Sequence, residues 1–442
     1  MMSTKLNFLT LAVSLGMAQA AMATTVTDQD DAKGFVEDSS LNLHLKNQYF
    51  DRDVKNGPAD KKDWTQGIFG NYSSGFTQGT VGFGVDAFGY WGIKLDGGAG
   101  TAGTGNLPVG RNGEPEDDYA KAGGAVKMRI SKTELLYGDM QPTAPVFAAG
   151  GTRLIPETAT GFDLLSSEIK DLDLEAGHFT SGTGVVSTSN DHSLYATYAN
   201  VTASAVNYLG GKYKVNDNLN FTLYGSEFED VWRQYYTNGN YTLALSPGQS
   251  LNFDFNLYKT NDEGAAKAGP INNTAFSFAT AYTFLTAHTV TLAFQKIHGD
   301  TPFDYVGFGT NGPGDGGDSI MLANSVQYSD FNGPGEKSWQ ARYDLNMLTY
   351  GVPGLSFMTR YIYGDDIDGT KMASNSAYNL LHYGADGTHH ETDVEAKYVV
   401  QSGPAKDLSL RLRQSFHRAN ADQPEGDNNE LRLIADYPIS IF

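Results

Sequence analysis

Leu431-Arg432-Leu433-Ile434-Ala435-Asp436-Tyr437-Pro438-Ile439-Ser440-Ile441-Phe442, the last stretch of this 442-residue chain, alternates apolar residues with others and stops on an aromatic. Side chains along a strand point to opposite faces in turn, so Leu431, Leu433, Ala435, Tyr437, Ile439 and Ile441 share one face while Arg432 and Asp436 take the other. An apolar face of this length suits lipid, and charges opposite it need water. That is how a strand of an outer-membrane barrel with a solvated interior is written.

The other end agrees. Lys5 precedes an apolar stretch from Leu6 to Ala18, and Ala21-Met22-Ala23 supplies small residues for cleavage before Thr24. Residues 1–23 therefore read as a secretory signal. The stretch falls short of the roughly 20 residues that a spanning helix needs, which argues against an uncleaved anchor. Residues 24–442 remain as a single all-β domain, with no visible internal repeat and no linker.

Composition removes most alternatives. The chain has no cysteine, 51 Gly, 25 Tyr and 24 Phe, which excludes a disulfide framework and thiol catalysis and suits turns and aromatic girdles. A net charge of −20 speaks against nucleic acid as a partner.

The punctuation falls into two kinds. Tight turns at 215–218, 246–249, 285–288, 350–354 and 402–407 alternate with longer loops near 52–63, 96–118, 141–167, 260–273, 299–337, 364–388 and 419–428. Between these breaks lie about 18 strands, an even number as this class requires, which predicts a transmembrane antiparallel β-barrel. Ile320 to Asp330 has the composition of a strand, yet accepting it would break the alternation of short and long connections. It is assigned to one long loop that folds into the lumen, together with the stiff, proline-bearing segment from Pro142 to Pro156.

Strand parity then says what faces the pore. Trp339, Ala341, Tyr343 and Leu345 take the lipid side and leave Arg342 inside, and Phe357 and Tyr361 leave Arg360 inside. Val394, Ala396 and Tyr398 outside put Lys397 inside, and Leu408, Leu410 and Leu412 outside put Arg411 and Arg413 inside. Lys127 and Arg129 take the inward parity on an earlier strand. A lipid-facing Arg or Lys near midplane costs about 2 to 4 kcal/mol, so inward parity alone shows only solvation. The cluster of Lys397, Arg411, Arg413 and Arg432 on the last three strands says more, because like charges held at similar depth repel unless an anion visits them. An electrostatic track for a carboxylate is the reading that follows.

Enzyme signatures are lacking: there is no G-x-S-x-G elbow and no H-E-x-x-H helix. His389, His390 and Glu391 make a poor metal site, since neighbours on a strand point to opposite faces. Neither a catalytic residue, a metal nor a cofactor is assigned. An energised receptor would need a plug domain, and a first strand near Ser40 leaves no room ahead of it.

Several stretches carry a resemblance covering nearly the whole mature chain. Asp63-Trp64-Thr65-Gln66-Gly67, Phe76-Thr77-Gln78-Gly79-Thr80-Val81-Gly82-Phe83-Gly84-Val85-Asp86, Met140-Gln141-Pro142-Thr143-Ala144-Pro145-Val146, Tyr328-Ser329-Asp330-Phe331-Asn332-Gly333-Pro334-Gly335, His389-His390-Glu391-Thr392 and Asp436-Tyr437-Pro438 closely resemble the OprD family of substrate-specific outer-membrane porins. The resemblance implies an 18-stranded barrel narrowed by inward loops, in the outer membrane of a Gram-negative bacterium, passing small carboxylate-bearing nutrients. The chain looks most like the family's channel for basic amino acids and short peptides containing them, also used by carbapenem antibiotics.

The resemblance further implies a two-sided eyelet. Arg52, Arg153, Lys397, Arg411, Arg413 and Arg432 match the basic ladder for a substrate carboxylate; Asp304, Tyr305, Ser325, Tyr328 and Asp330, with Tyr198 as a weaker match, answer to a pocket for the cationic end. On chemistry alone, Asp304 and Asp330 could equally cap turns. Implied partners are small carboxylate solutes, outer-membrane lipid and barrel assembly machinery, with a weak homotrimer left open. A less selective pore for other carboxylates such as aromatic acids is the alternative, and an outer-membrane barrel hydrolase a more distant one.

Overall fold

The computed structural model describes residues 25–309 and 316–442, so the signal read at residues 1–23 lies outside the described residues. Eighteen strands form one sheet: Ser40–Val54, Lys61–Ser73, Gly82–Asp96, Asp118–Ile130, Thr133–Met140, Thr158–Ile169, Leu172–Thr183, Val206–Asn216, Leu219–Phe228, Trp232–Ser246, Gln249–Asp262, Asn272–Phe284, His288–His298, Lys337–Asn346, Leu355–Ile367, Gly387–Val399, Ser409–Ala419 and Asn428–Ser440. Each pairs antiparallel with its neighbour in sequence. The last pairs with the first, from Asn42 opposite Ser440 to Val54 opposite Asn428, so the sheet has no free edge.

The wall follows the period-two pattern. Trp339 is 59 % exposed while Gln340 and Arg342 are buried, and Leu433 is exposed while Arg432 is 2 % exposed. On this closed sheet the exposed face is the lipid face. Connections on one rim are short, such as 217–218, 247–248 and 285–287, and those on the other rim are mostly long.

Several of the long connections fold inward, and three of them pair with one another or within themselves as short strands. Within 141–157 a small hairpin pairs Thr143–Ala144 with Phe147–Ala148, and within 184–205 the strands Leu194–Ala196 and Thr202–Ala203 join Val306–Phe308 of the 299–336 loop in a three-stranded sheet. Phe147, fully buried, lies 4.9 Å from Phe179 and 4.7 Å from Phe308, ring centre to ring centre, so loop and inner wall share one apolar cluster. Tyr258 on the wall donates its hydroxyl to the Pro145 carbonyl at 3.0 Å and accepts from the Met321 amide. Aromatic side chains on the middle strands anchor the loops on that side, while Gln327 of the long loop bonds Glu430 and Arg432 on the last strand.

Three boundaries differ from those read off the sequence. The 141–167 loop stops at residue 157, because Phe162 and Leu164 face lipid with Asp163 inward between them, a strand alternation that Gly161 and the two serines masked. The loop near 52–63 is only 55–60, so Arg52 sits on a strand. The inward loop 184–205 had no counterpart in the sequence reading, since its own short strands mimic wall segments. Ile320 to Asp330 carries no strand, as the alternation of connections required.

Candidate functional site

Phe50 on the first strand is fully buried, and three guanidinium groups gather on its ring: Arg432 at 5.3 Å, Arg52 at 5.4 Å and Arg153 at 5.6 Å from the centroid. Arg432 faces Phe50 directly across the seam between last and first strands, Arg52 lies two residues further along on the same face, and Arg153 reaches in from the 141–157 loop. The negative face of the ring lets the three cations approach one another more closely than water alone would allow. Sequence reading found the arginines but not the ring, for which an inward Phe on a charged wall was the available signal.

The rest of the basic wall follows from register. Lys397 faces Arg411, and Arg413 faces Arg432. Acids are interleaved with them: Glu395 takes Arg411 at 2.6 Å and Arg413 at 3.3 Å, and buried Glu430 takes Arg52 and Arg432, both at 2.6 Å. The wall is thus part-neutralised and still cationic. Lys46, outside the set of cations expected from the sequence, donates to the Arg153 carbonyl at 2.5 Å and ties the loop to the ladder.

Of the remaining inward cations, Arg342 and Arg360 face each other on the two strands before that of Lys397, while Lys127 and Arg129 sit on the fourth strand, away from the ladder. Arg342 pairs with Asp344 and Arg360 with Asp393, each at 2.6 Å. Lys127 pairs with Asp86 at 2.7 Å, and Arg129 donates to Thr27 and Gln29, which pins the N-terminal segment near the short-turn rim.

Opposite the ladder stands the long loop. Asp330 accepts three hydroxyl hydrogen bonds, from Tyr198 and Ser325 at 2.6 Å and from Tyr305 at 2.8 Å. Burial pushes its carboxyl up from the ordinary carboxylate range, and the hydroxyls act the other way. No basic side chain bonds this carboxylate among the described residues. Tyr328 lays its ring 4.9 Å from the Arg52 guanidinium and donates its hydroxyl to the Glu425 carbonyl, so it bridges the two walls.

Asp304 departs from the expectation of substrate contact. Its carboxylate is buried and accepts from the backbone amides of Tyr198, Ala199 and Tyr305 at 2.7 to 3.0 Å. Three amides consume its lone pairs, and burial pushes it up to about 6. It holds Tyr198 and Tyr305 where they meet Asp330.

Both walls line one cavity of about 400 Å³, whose lining includes Arg153, Arg432, Tyr198, Tyr305, Ser325, Tyr328 and Asp330. Asp318, absent from the sequence-derived set, lines it too; desolvation in the narrow passage pushes its carboxyl up to about 7, with the Asp330 charge adding. Glu157 latches the two loops at the edge of this cavity, accepting from the amides of Gly150 and Gly317, which line it, at 2.8 Å. Arg52, Lys397, Arg411, Arg413 and Asp304 lie outside its lining, and the first four continue the basic wall past it. Of His389, His390 and Glu391, the first and third are buried on the inner side and the second points the other way, so the three do not converge.

A family model described as outer membrane porin, OprD family, matches residues 33–441. Porin D of Pseudomonas aeruginosa is 66 % identical over 440 residues, 99 % of each chain, and the porin-like protein GalP of Pseudomonas putida is 36 % identical over 429 residues, 96 % of this chain and 97 % of that one. The crystal structure of Pseudomonas aeruginosa OprD superposes with a TM-score of 0.84 at 63 % identity, covering 94 % of this chain and 99 % of that one. That of Pseudomonas aeruginosa OpdK with vanillate superposes with a TM-score of 0.82 at 33 % identity, covering 92 % and 100 %.

Proposed function

This chain belongs to the OprD family of outer membrane porins, and from that premise we propose that its channel selects solutes bearing a carboxylate at one end and a cation at the other. It is a substrate-specific outer-membrane porin and not an enzyme. Basic amino acids, short peptides containing them and carbapenem-type antibiotics are the proposed cargo. The observation that carries this reading is the pairing, across one cavity, of Arg153 and Arg432 with an Asp330 carboxylate that has hydroxyl partners only. A substrate guanidinium or ammonium supplies the charge that Asp330 lacks, while its carboxylate rests on the ladder that Arg52, Lys397, Arg411 and Arg413 extend. Exclusion of bulk water strengthens both contacts, while the three hydroxyls already bonded to Asp330 share its charge and keep binding weak enough for exit.

The same reading has residues 1–23 removed on export, leaving residues 24–442 as one porin domain inserted by barrel assembly machinery. A second reading, uptake of aromatic carboxylates, draws on the relative crystallised with vanillate. Single-channel recordings with arginine, lysine, glutamate and benzoate decide between them. Arginine and lysine should block or permeate at the lowest concentration. Equal response to all four would make the channel a general pore, and a preference for benzoate would favour the second reading.

A further inference from the structure

We propose that His389, His417 and Glu425 form a binding site for a divalent transition-metal ion of the zinc type, beside the constriction and at its loop-side end. His389 Nδ1 lies 2.9 Å from His417 Nε2, and each of these nitrogens lies 3.4 Å from Glu425 Oε2. Zinc takes His nitrogen and carboxylate oxygen at about 2.0 to 2.2 Å, which spaces tetrahedral ligands about 3.4 Å apart and ligands at right angles about 2.9 Å apart. The trio already has that spacing.

The far side of each ring fixes what the near side presents. His417 Nδ1 is 2.7 Å from the Gly426 carbonyl, which can only accept, so this nitrogen carries the hydrogen and Nε2 of the neutral ring offers a lone pair. His389 Nε2 is 2.7 Å from Glu336 Oε1, a carboxylate that likewise calls for a donor and leaves Nδ1 with its lone pair. Glu425 Oε2 is buried with no hydrogen-bond partner. Three electron-rich atoms therefore converge, and something positive must lie between them. A carboxylate behind one histidine and a carbonyl behind the other are the supports that metal-bound imidazoles take. The Gln423 amide, 3.3 Å from His389 Nδ1, stands next to a fourth position, where its oxygen would ligate if the amide is turned over.

The site joins parts that are remote in sequence. His389 and His417 come from neighbouring strands, diagonal to one another across the pair, and Glu425 from the 420–427 loop. Glu336 and the rings of Phe331, 4.1 Å from His389, and Tyr328, 4.9 Å from His417, belong to the long inward loop. An ion here fastens that loop to the wall on the side where Tyr328 and Asp330 face the channel.

The rival occupant is a proton shared within the pair, with His389 as an imidazolium. Untagged, folded barrel in detergent, stripped with a chelator and dialysed, is titrated with Zn²⁺ by calorimetry and with Co²⁺ by visible absorption. One equivalent should bind, with the intense bands of four-coordinate Co²⁺. Glu425→Gln and His417→Gln should each abolish that event, and Glu336→Gln should weaken it about 10- to 100-fold, with heat-modifiable gel migration showing that each variant is folded; Glu425, on a loop, can be changed without touching the wall. A folded wild-type protein that binds neither ion at neutral pH overturns the proposal in favour of the shared proton. So does binding that persists unchanged in folded Glu425→Gln.

Discussion

Arg413 and Arg432 face each other on adjacent strands, so two guanidinium groups stand side by side on one wall of the lumen. Two acids, Glu395 and Glu430, are shared among four arginines there: Arg411 and Arg413 on the first, Arg52 and Arg432 on the second. Had the wall only needed solvated charges, full pairing would have been the cheaper arrangement. A surplus of cations in a narrow passage lowers the energy of a passing anion.

Replacing Arg411 and Arg413 together with Gln should reduce flux of carboxylate substrates about tenfold or more, since a hydrogen bond to a charged group contributes about 1.5 to 3 kcal/mol. Heat-modifiable migration should show a folded barrel. Because this change strands Glu395, the triple variant with Glu395→Gln should regain any lost thermal stability without regaining flux. Unchanged arginine transport in the folded double variant would reduce the ladder to a solvated lining.

Asp330→Asn and Asp304→Asn should behave differently. The first removes the charge that meets a cationic side chain, so competition by arginine or lysine should weaken about tenfold while a neutral amino acid of similar size competes as before. The second removes a carboxylate that holds three backbone amides, so all substrates should suffer alike. Equal losses for both classes in Asp330→Asn would assign that residue to loop positioning as well.

Acid selectivity should depend on pH. Asp318, reached by water in the passage yet desolvated by the protein around it, is pushed up to about 7, and burial raises Asp330; a raised carboxyl becomes anionic only above its shifted value. Preference for basic substrates should therefore grow between about pH 5 and 8. Competition by arginine measured across that range should rise, and Asp318→Asn should flatten the curve. A wild-type curve that is flat would mean that neither acid is read by the substrate.

The latch between the inward loops should loosen in alkali. Burial pushes Glu157 up to about 8 in the folded protein, so its protonated form is the one that folding favours. The stability this gives is fully present below the ordinary carboxylate value and is lost as pH rises through about 8. Conductance noise or mean conductance should increase from pH 6 to pH 9, and Glu157→Gln should remove the change.

Parity along single strands was legible in the sequence because a two-residue period is local: Arg342, Arg360, Lys397, Arg411, Arg413 and Arg432 needed only their immediate neighbours to be set inward. The segment 158–167 reads as loop in the sequence because small and polar residues weaken the alternation there. Phe50 is hidden in the sequence for a related cause, since an inward aromatic breaks the pattern until the arginines around it are placed.

By itself, the sequence determined that this chain is a closed, lipid-embedded sheet of antiparallel strands with a charged interior, since alternation, turn chemistry and chain length are local properties. Only the tertiary structure decided which inward residues meet. Asp304 and Asp330 have the same chemistry and similar neighbours in sequence, yet one is consumed by the backbone amides of Tyr198, Ala199 and Tyr305 and the other is turned to the channel. Likewise Phe50 with Arg153, and His389 with Glu425, come together through barrel closure and loop entry. Those contacts depend on the register between strands and on where a loop finds an apolar wall to bury against, and neither quantity is carried by any one stretch of the chain.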